Sequence, residues 1–367
     1  MVKWSNNIAY AIKECLEHEV PFAFYSKPEE PDITFFSNPG FKGKRPDTDS
    51  FKKCFFIGEW LQKSADFIAI EDELDVDQTL EFLGNKERRH NENLCSHECF
   101  RTKEITKEEY LASVESLIGE IKAEGLGKVV LSRSKSLPGI NAGNVPKVAM
   151  DIFDAFPHSF RYIFYTPSTG AWLGATPELL LFSSKDSRCV HTMALAGTRK
   201  LTGHDVDWDA KDIEEQAIVA RFIVDELRSL GLTVTESDMK TLTTGDLQHI
   251  MTQISGYKDE KGGKIDVFEV IDVLNPTPAL CGYPRVKAEE LIDKYEAHDR
   301  RCYGGIVGVM TDKECSAFVN LRCAKFNPEV IRLFAGGGIL PQSDPHLEWE
   351  ETENKFSALT RFLLADK

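Results

Sequence analysis

No stretch of this 367-residue chain approaches the run of about 20 apolar residues needed to cross a bilayer. Its opening, MVKWSNNIAYAIKECLEHEV, also lacks an apolar run long enough for a secretory signal. A cytoplasmic location without a membrane partner is therefore the expectation. Basic clusters are equally scarce. Acidic side chains outnumber basic ones 59 to 44, and the one short basic run, KERRH (86–90), sits among acidic neighbours. A surface field of that sign disfavours nucleic acid as a partner. Matched cysteine pairs are missing as well: the nine cysteines are odd in number and scattered through apolar segments such as FKKCFFIG, which points to reduced thiols rather than a disulfide framework. CSHEC, holding Cys95, His97 and Cys99, has no second pair to complete a four-ligand zinc site and reads as a polar connector.

What is present fits a folded, enzyme-sized protein, since 42% apolar residues suffice for a substantial core. PFAFYS, DITFFSNPG and KKCFFIGEW read as strands, and DQTLEFLGN as a helix end. A polar connector follows at GNKERRHNENLCSHECFRTKE. Thr106 and Glu109 then have capping-box spacing before a helix that Gly125 should stop. Strands are expected at KVVLSRSKSL, SFRYIFYT, GAWLGA, LLLFS, RCVHTMALAG, LTVTE, YGGIVGVM, SAFVNLRCAKF and VIRLFAGGGI. Helices are expected over 207–230, near 287–295 and from about His346. Strands arrive in groups with helices between the groups, which favours an α+β sheet assembly over a parallel doubly wound fold. No linker divides the chain, so one domain is expected over 1–367.

Several residues have the chemistry of a site. Asp212 with Glu215, and Glu348 with Glu351, are i,i+3 carboxylate pairs on two helices, and Lys355 continues the second face. Each pair alone is the ordinary pattern of a solvated helix face. If the two faces meet, their oxygens suit Mg²⁺. FAGGGILPQSDP places Gly336, Gly337 and Gly338 after the strand VIRLF, where backbone N–H groups can approach an anion; it is not GxGxxG, which argues against a dinucleotide. Lys128 shares a strand face with Val130 and Ser132. Burial of that face would favour a neutral amine able to act as a base, whereas an edge lysine would simply reach solvent. Glu178, between a proline turn and an apolar strand, either caps the turn or, if walled in by apolar groups, keeps its proton at higher pH. Arg322 lies inside an apolar strand and calls for an anionic partner. His249 can bond to a substrate or to backbone.

Ten motifs in order, KVVLSR, GATPELLL, LAGTRK, KDIEEQ, LQHIMTQISG, NPTPALCGYP, YGGIVG, VNLRCA, FAGGGI and EWEETENK, resemble the chorismate-utilising enzymes, and among them the isochorismate synthases. The resemblance covers roughly the C-terminal two thirds (106–367), with 1–105 similar to the family's variable part. It implies a large antiparallel sheet assembly surrounded by helices, and Mg²⁺ held by Glu215 and Glu351 with Asp212 and Glu348 nearby. It implies that Lys128 activates water for attack at ring C2 of chorismate and that Glu178 protonates the departing C4 hydroxyl. Tyr303, Arg322, Gly336, Gly338 and Lys355 would hold substrate carboxylates, while Gly197, Thr198, His249, Ala279 and Leu280 line the ring site. A monomer feeding menaquinone or siderophore synthesis is implied.

The same resemblance leaves alternatives. Salicylate synthases carry threonine where this chain has Ala279, which favours stopping at isochorismate, and aminodeoxychorismate-forming relatives can share Lys128. Asn275 and Gln216 stand where histidine is common in the family, and Arg301 where glycine is common. A catalytically silent binding module would not need intact Lys128, Glu178, Glu215 and Glu351.

Overall fold

A computed structural model describes residues 5–45, 53–85, 103–184, 188–201, 207–244, 247–259 and 263–364. KERRH and CSHEC lie outside these residues. With strands numbered in chain order, one sheet runs β13 (Gly282–Tyr283), β5 (Lys128–Pro138), β17 (Val330–Ile339), β16 (Cys323–Phe326), β7 (Gly170–Thr176), β6 (Phe160–Thr166), β1 (Phe22–Ser26), β2 (Thr34–Ser37). The other runs β10 (Thr233–Glu236), β12 (Leu247–Tyr257), β9 (Cys189–Lys200), β8 (Leu179–Ser184), β15 (Glu314–Val319), β14 (Ile306–Met310), β3 (Cys54–Gly58), β4 (Ile68–Glu71). In addition, β11 (Lys240–Thr244) pairs with β12. Every strand pairing among the described residues is antiparallel, as expected.

The two sheets pack face to face over aromatic residues, because alternating positions of both strand sets are apolar. Phe160 of one sheet stacks on Phe318 of the other at 4.4 Å, and Tyr25, Phe55, Tyr162, Phe164 and Phe334 join the same cluster. Helices cover the outer faces. Helices α1 (Asn6–Glu17), α4 (Val145–Ala155) and α8 (Pro345–Leu363) pack on the first sheet, and α5 (Ala210–Ser229) with α6 (Val267–Leu274) on the second. A further cluster joins α3 (Lys107–Glu124) and α7 (Arg285–Tyr295) to β5. The expected start and stop of α3 both hold: Thr106 and Glu109 form a reciprocal capping box, and Gly125 ends the helix with φ 68°. DQTLEFLGN belongs to a whole helix, α2 (Val76–Gly84), capped by Asp75 and Gln78.

One strand expectation needs correction. SAFVNLRCAKF is not one strand: β15 ends at Val319 in one sheet and β16 starts at Cys323 in the other, so Arg322 lies on the crossover between sheets, with φ 46°. The apolar alternation continues on both sides of the crossing, which hides it in the sequence. VIRLFAGGGI is one strand, β17, as expected, so its glycines lie within the strand rather than behind VIRLF, with Gly336, Gly337 and Gly338 paired to Ser132, Leu131 and Val130 of β5. Arg301 also has a left-handed backbone (φ 52°), a conformation in which glycine is unstrained, and it is tied down by Glu59 at 3.0 Å.

Candidate active site

Helices α5 and α8 begin beside the end of β17. Asp209 caps α5 by accepting from the Asp212 N–H, and Asp344 caps α8 by accepting from His346 and Leu347, with Pro345 in the first turn. Both first turns are thereby fixed, and with them the carboxylates they carry. The glycines of β17 make room for these groups. A Cβ on Gly338 would lie 2.4 Å from both Glu215 Oε1 and Lys128 Cε, and one on Gly337 would lie 3.0 Å from Glu348 Oε2. Their importance is therefore steric closeness to side chains.

Between the sheets a cavity opens onto these elements. Glu178 and Glu215 line it, as do Lys355, Arg322, Tyr303 and His249. Gly197, Thr198, Ala279, Leu280, Gly336 and Gly338 complete the set of expected residues that reach it. Lys128, Asp212, Glu348 and Glu351 stand outside the lining. Lys128 is fully buried rather than a solvent-reaching edge lysine, and its Nζ lies 2.7 Å from Glu215 Oε1. Asp212 approaches Gly197, and Glu351 accepts from Lys355 at 2.7 Å while the same ammonium bonds the Gly336 carbonyl at 2.8 Å. Glu353 points elsewhere, to Arg133 and Lys135. The sequence reasoning missed the apolar walls Leu195, Leu247, Leu321 and Phe334, although all four sit in or beside the quoted motifs.

The electrostatics divide the carboxylates. Burial pushes the Glu178 carboxyl up to about 8, against the opposing pull of Lys128 and Lys355. Burial also raises Glu215, but Lys128, Lys211 and Lys355 outweigh it and hold that carboxyl below its ordinary value. Asp212 rises to about 7 through burial and its neighbours Asp209 and Glu215, and Glu348 to about 7 through burial and Glu351. Lys211 Nζ, which the motif reading left unassigned, lies 2.7 Å from Glu348 Oε1, and Ser343 donates to the same oxygen at 2.6 Å. Glu348 Oε2 is buried without a hydrogen-bond partner among the described residues. There, no three His, Cys, Asp or Glu side chains stand close enough together to ligate one ion.

Arg322 donates to Nε2 of His249 at 2.6 Å. Because a guanidinium only donates, Nε2 must accept, and the ring proton sits on Nδ1 beside the Gly197 carbonyl and the Thr198 hydroxyl, each at 3.2 Å. Burial and the Arg322 charge keep His249 neutral, well below its ordinary value, and burial lowers Arg322 to about 10. Thus His249 bonds both backbone and a side chain that faces the cavity. The departures from the family pattern avoid it: Asn275 and Gln216 are buried off the lining, Gln216 donating to Thr252 at 2.8 Å.

A buried acid, a buried amine and two cavity-facing cations define a site for an anionic small molecule, and residues 49–364 match the family described as chorismate binding enzyme, to which this chain belongs. Isochorismate synthase EntC of Escherichia coli K12 is 33% identical over 244 residues, covering 63% of this chain and 61% of that protein. Isochorismate synthase MenF of Bacillus subtilis is 30% identical over 268 residues, covering 70% of this chain and 55% of that protein. The matched region thus spans under two thirds of these relatives' lengths. The solved structure of MenF, the menaquinone-specific isochorismate synthase from Escherichia coli, shares the fold with TM-score 0.78 and 20% identity, covering 98% of this chain and 91% of that one.

Proposed function

We propose that the chain is an isochorismate synthase that isomerises chorismate to isochorismate with Mg²⁺. The observation that carries this reading is Glu178, a carboxyl held near 8 by burial and therefore protonated at neutral pH, within electrostatic reach of the buried Lys128. An acid that keeps its proton and an amine shielded from water are the two groups that exchange of a hydroxyl between two ring carbons requires. Glu178 gives its proton to the departing C4 oxygen, and Lys128 takes one from the water that attacks C2. Lys128 Nζ stands 2.7 Å from Glu215 Oε1, which joins the proposed base to a proposed metal ligand.

The oxygen-only donor set and the unpartnered Glu348 Oε2 fit Mg²⁺. Glu215 and Glu351 would hold it, with Asp212 and Glu348 acting directly or through water. When bound there, the ion would supply positive charge that offsets these carboxylates and favours an anionic substrate. Chorismate is a dianion and this chain carries −15, so Arg322 and Lys355 serve to reverse the sign locally. His249 holds the Arg322 fork in place.

Ala279 on the cavity wall favours release of isochorismate over further elimination to salicylate. Incubation with chorismate and Mg²⁺ followed by chromatography tests the reading: isochorismate is expected, whereas salicylate with pyruvate, or unchanged chorismate, contradicts it.

A further inference from the structure

Behind the cavity wall lies a buried polar cluster that the reaction as described leaves unused: Ser132, Glu296, His298 and Arg300. Arg300 Nε donates to Glu296 Oε2 at 2.9 Å and a second guanidinium nitrogen donates to Oε1, giving a bidentate ion pair. Both groups also reach backbone. Arg300 donates to the carbonyls of Leu280 at 2.8 Å and Val130 at 3.1 Å, and Glu296 Oε1 accepts from the N–H and the hydroxyl of Ser132, each at 2.8 Å. His298 Nε2 is 3.2 Å from the same hydroxyl, and the guanidinium lies 4.1 Å from the Trp60 ring centre.

The topology explains why charges stand here. β17 borders one side of β5, but on the other side the two-residue β13 pairs only with Lys128 and Val129. Beyond Val129, among the described residues, no strand borders that edge, and its buried peptide groups need other partners. The Val130 N–H takes the Cys281 carbonyl at 2.8 Å, while the Val130 carbonyl and the Ser132 N–H end on Arg300 and Glu296. The ion pair stands in for a neighbouring strand. An apolar pair of equal volume would often be as stable, but it could not terminate backbone groups from two separate cavity walls.

We propose that Glu296 and Arg300 are positioning residues for the isomerisation, fixing β5 and the Leu280 wall so that Lys128 stays in register with Glu215 and the glycine strand. This rests on the reading of the cavity given above. Ser132 lies opposite Gly336 in the ladder, and Tyr303 Oη would be 3.2 Å from a Cβ on that glycine, so a shift of β5 reaches the substrate side directly.

Arg300→Lys keeps the charge and loses the fork; Glu296→Gln with Arg300→Met removes both charges together, so that neither is left buried alone if the single variant fails to fold. Amide hydrogen exchange and steady-state kinetics on the folded variants test the proposal. Faster exchange over 128–134 with unchanged exchange in α5 is expected, together with a kcat lower by about 10²-fold at nearly constant KM and a displaced pH profile. Unchanged exchange over 128–134, or unchanged kcat beside faster exchange, overturns it. Absence of chorismate turnover in the parent protein would instead sink the reading of the site, and the exchange result would still decide whether the pair pins β5.

Discussion

Lys128 and Glu215 form an ion pair of 2.7 Å in which the lysine has no contact with solvent. One strand and one helix, eighty-seven residues apart in the chain, thus join the proposed base to a proposed metal ligand. Lys128→Met keeps most of the volume and removes the amine. Turnover should fall by about 10²–10⁴-fold, and stability at neutral pH by about 3–5 kcal/mol because Glu215 loses its nearest counter-ion. Stopped-time product assays and chemical unfolding check the two effects separately.

As the proposed acid, Glu178 would act only while protonated. With its carboxyl at about 8, kcat/KM should fall as pH rises through that value, since the free protein loses its acid above it. Glu178→Gln should abolish most turnover while circular dichroism stays unchanged. A pH-rate profile whose alkaline limb begins well above 9 would argue against Glu178 as the acid.

At the proposed site Mg²⁺ would compete with protons and with Lys211 for the same oxygens. Asp212 and Glu348 both titrate at about 7, and a carboxylate holds the ion only when ionised, so affinity should rise from pH 6 to pH 8 with proton release on binding. Lys211→Met removes the ammonium at 2.7 Å from Glu348 and should tighten Mg²⁺ up to about tenfold, or about 1.4 kcal/mol. Titration calorimetry reads both effects without any turnover. Chelation of the ion should abolish activity reversibly.

Gly338→Ala places a methyl 2.4 Å from Glu215 Oε1 and from Lys128 Cε. One of the pair must move, and a displacement near 1 Å is expected to cost about 10²-fold in kcat. The same substitution at Gly143, where an added Cβ meets nothing within 4 Å, is the control and should leave kcat unchanged.

Much of this was legible in the sequence because local chemistry and periodicity agree. The capping box at Thr106, the stop at Gly125 and the i,i+3 carboxylates all act within a turn or two of themselves, and each appears where its spacing puts it. Long-range pairings were not legible. Arg322 sits on a crossover whose apolar flanks belong to different sheets, so alternation alone joins them into one strand. Nothing local says that Glu296 and Arg300 finish the edge of β5, since the length of β13 is set by where the chain turns after Tyr283. Lys211 reads as an ordinary helix-start lysine until α8 arrives beside it. The helices α1 and α4 escaped the reading of the chain, yet both cover the outer face of the first sheet.

Chorismate turnover in water enriched in ¹⁸O tests the central claim most directly. Attack of water at C2 with loss of the C4 hydroxyl predicts isochorismate carrying one ¹⁸O, at the C2 hydroxyl, with none in recovered chorismate at early times. Isochorismate without label, or no isochorismate, would contradict the account of Lys128 and Glu178.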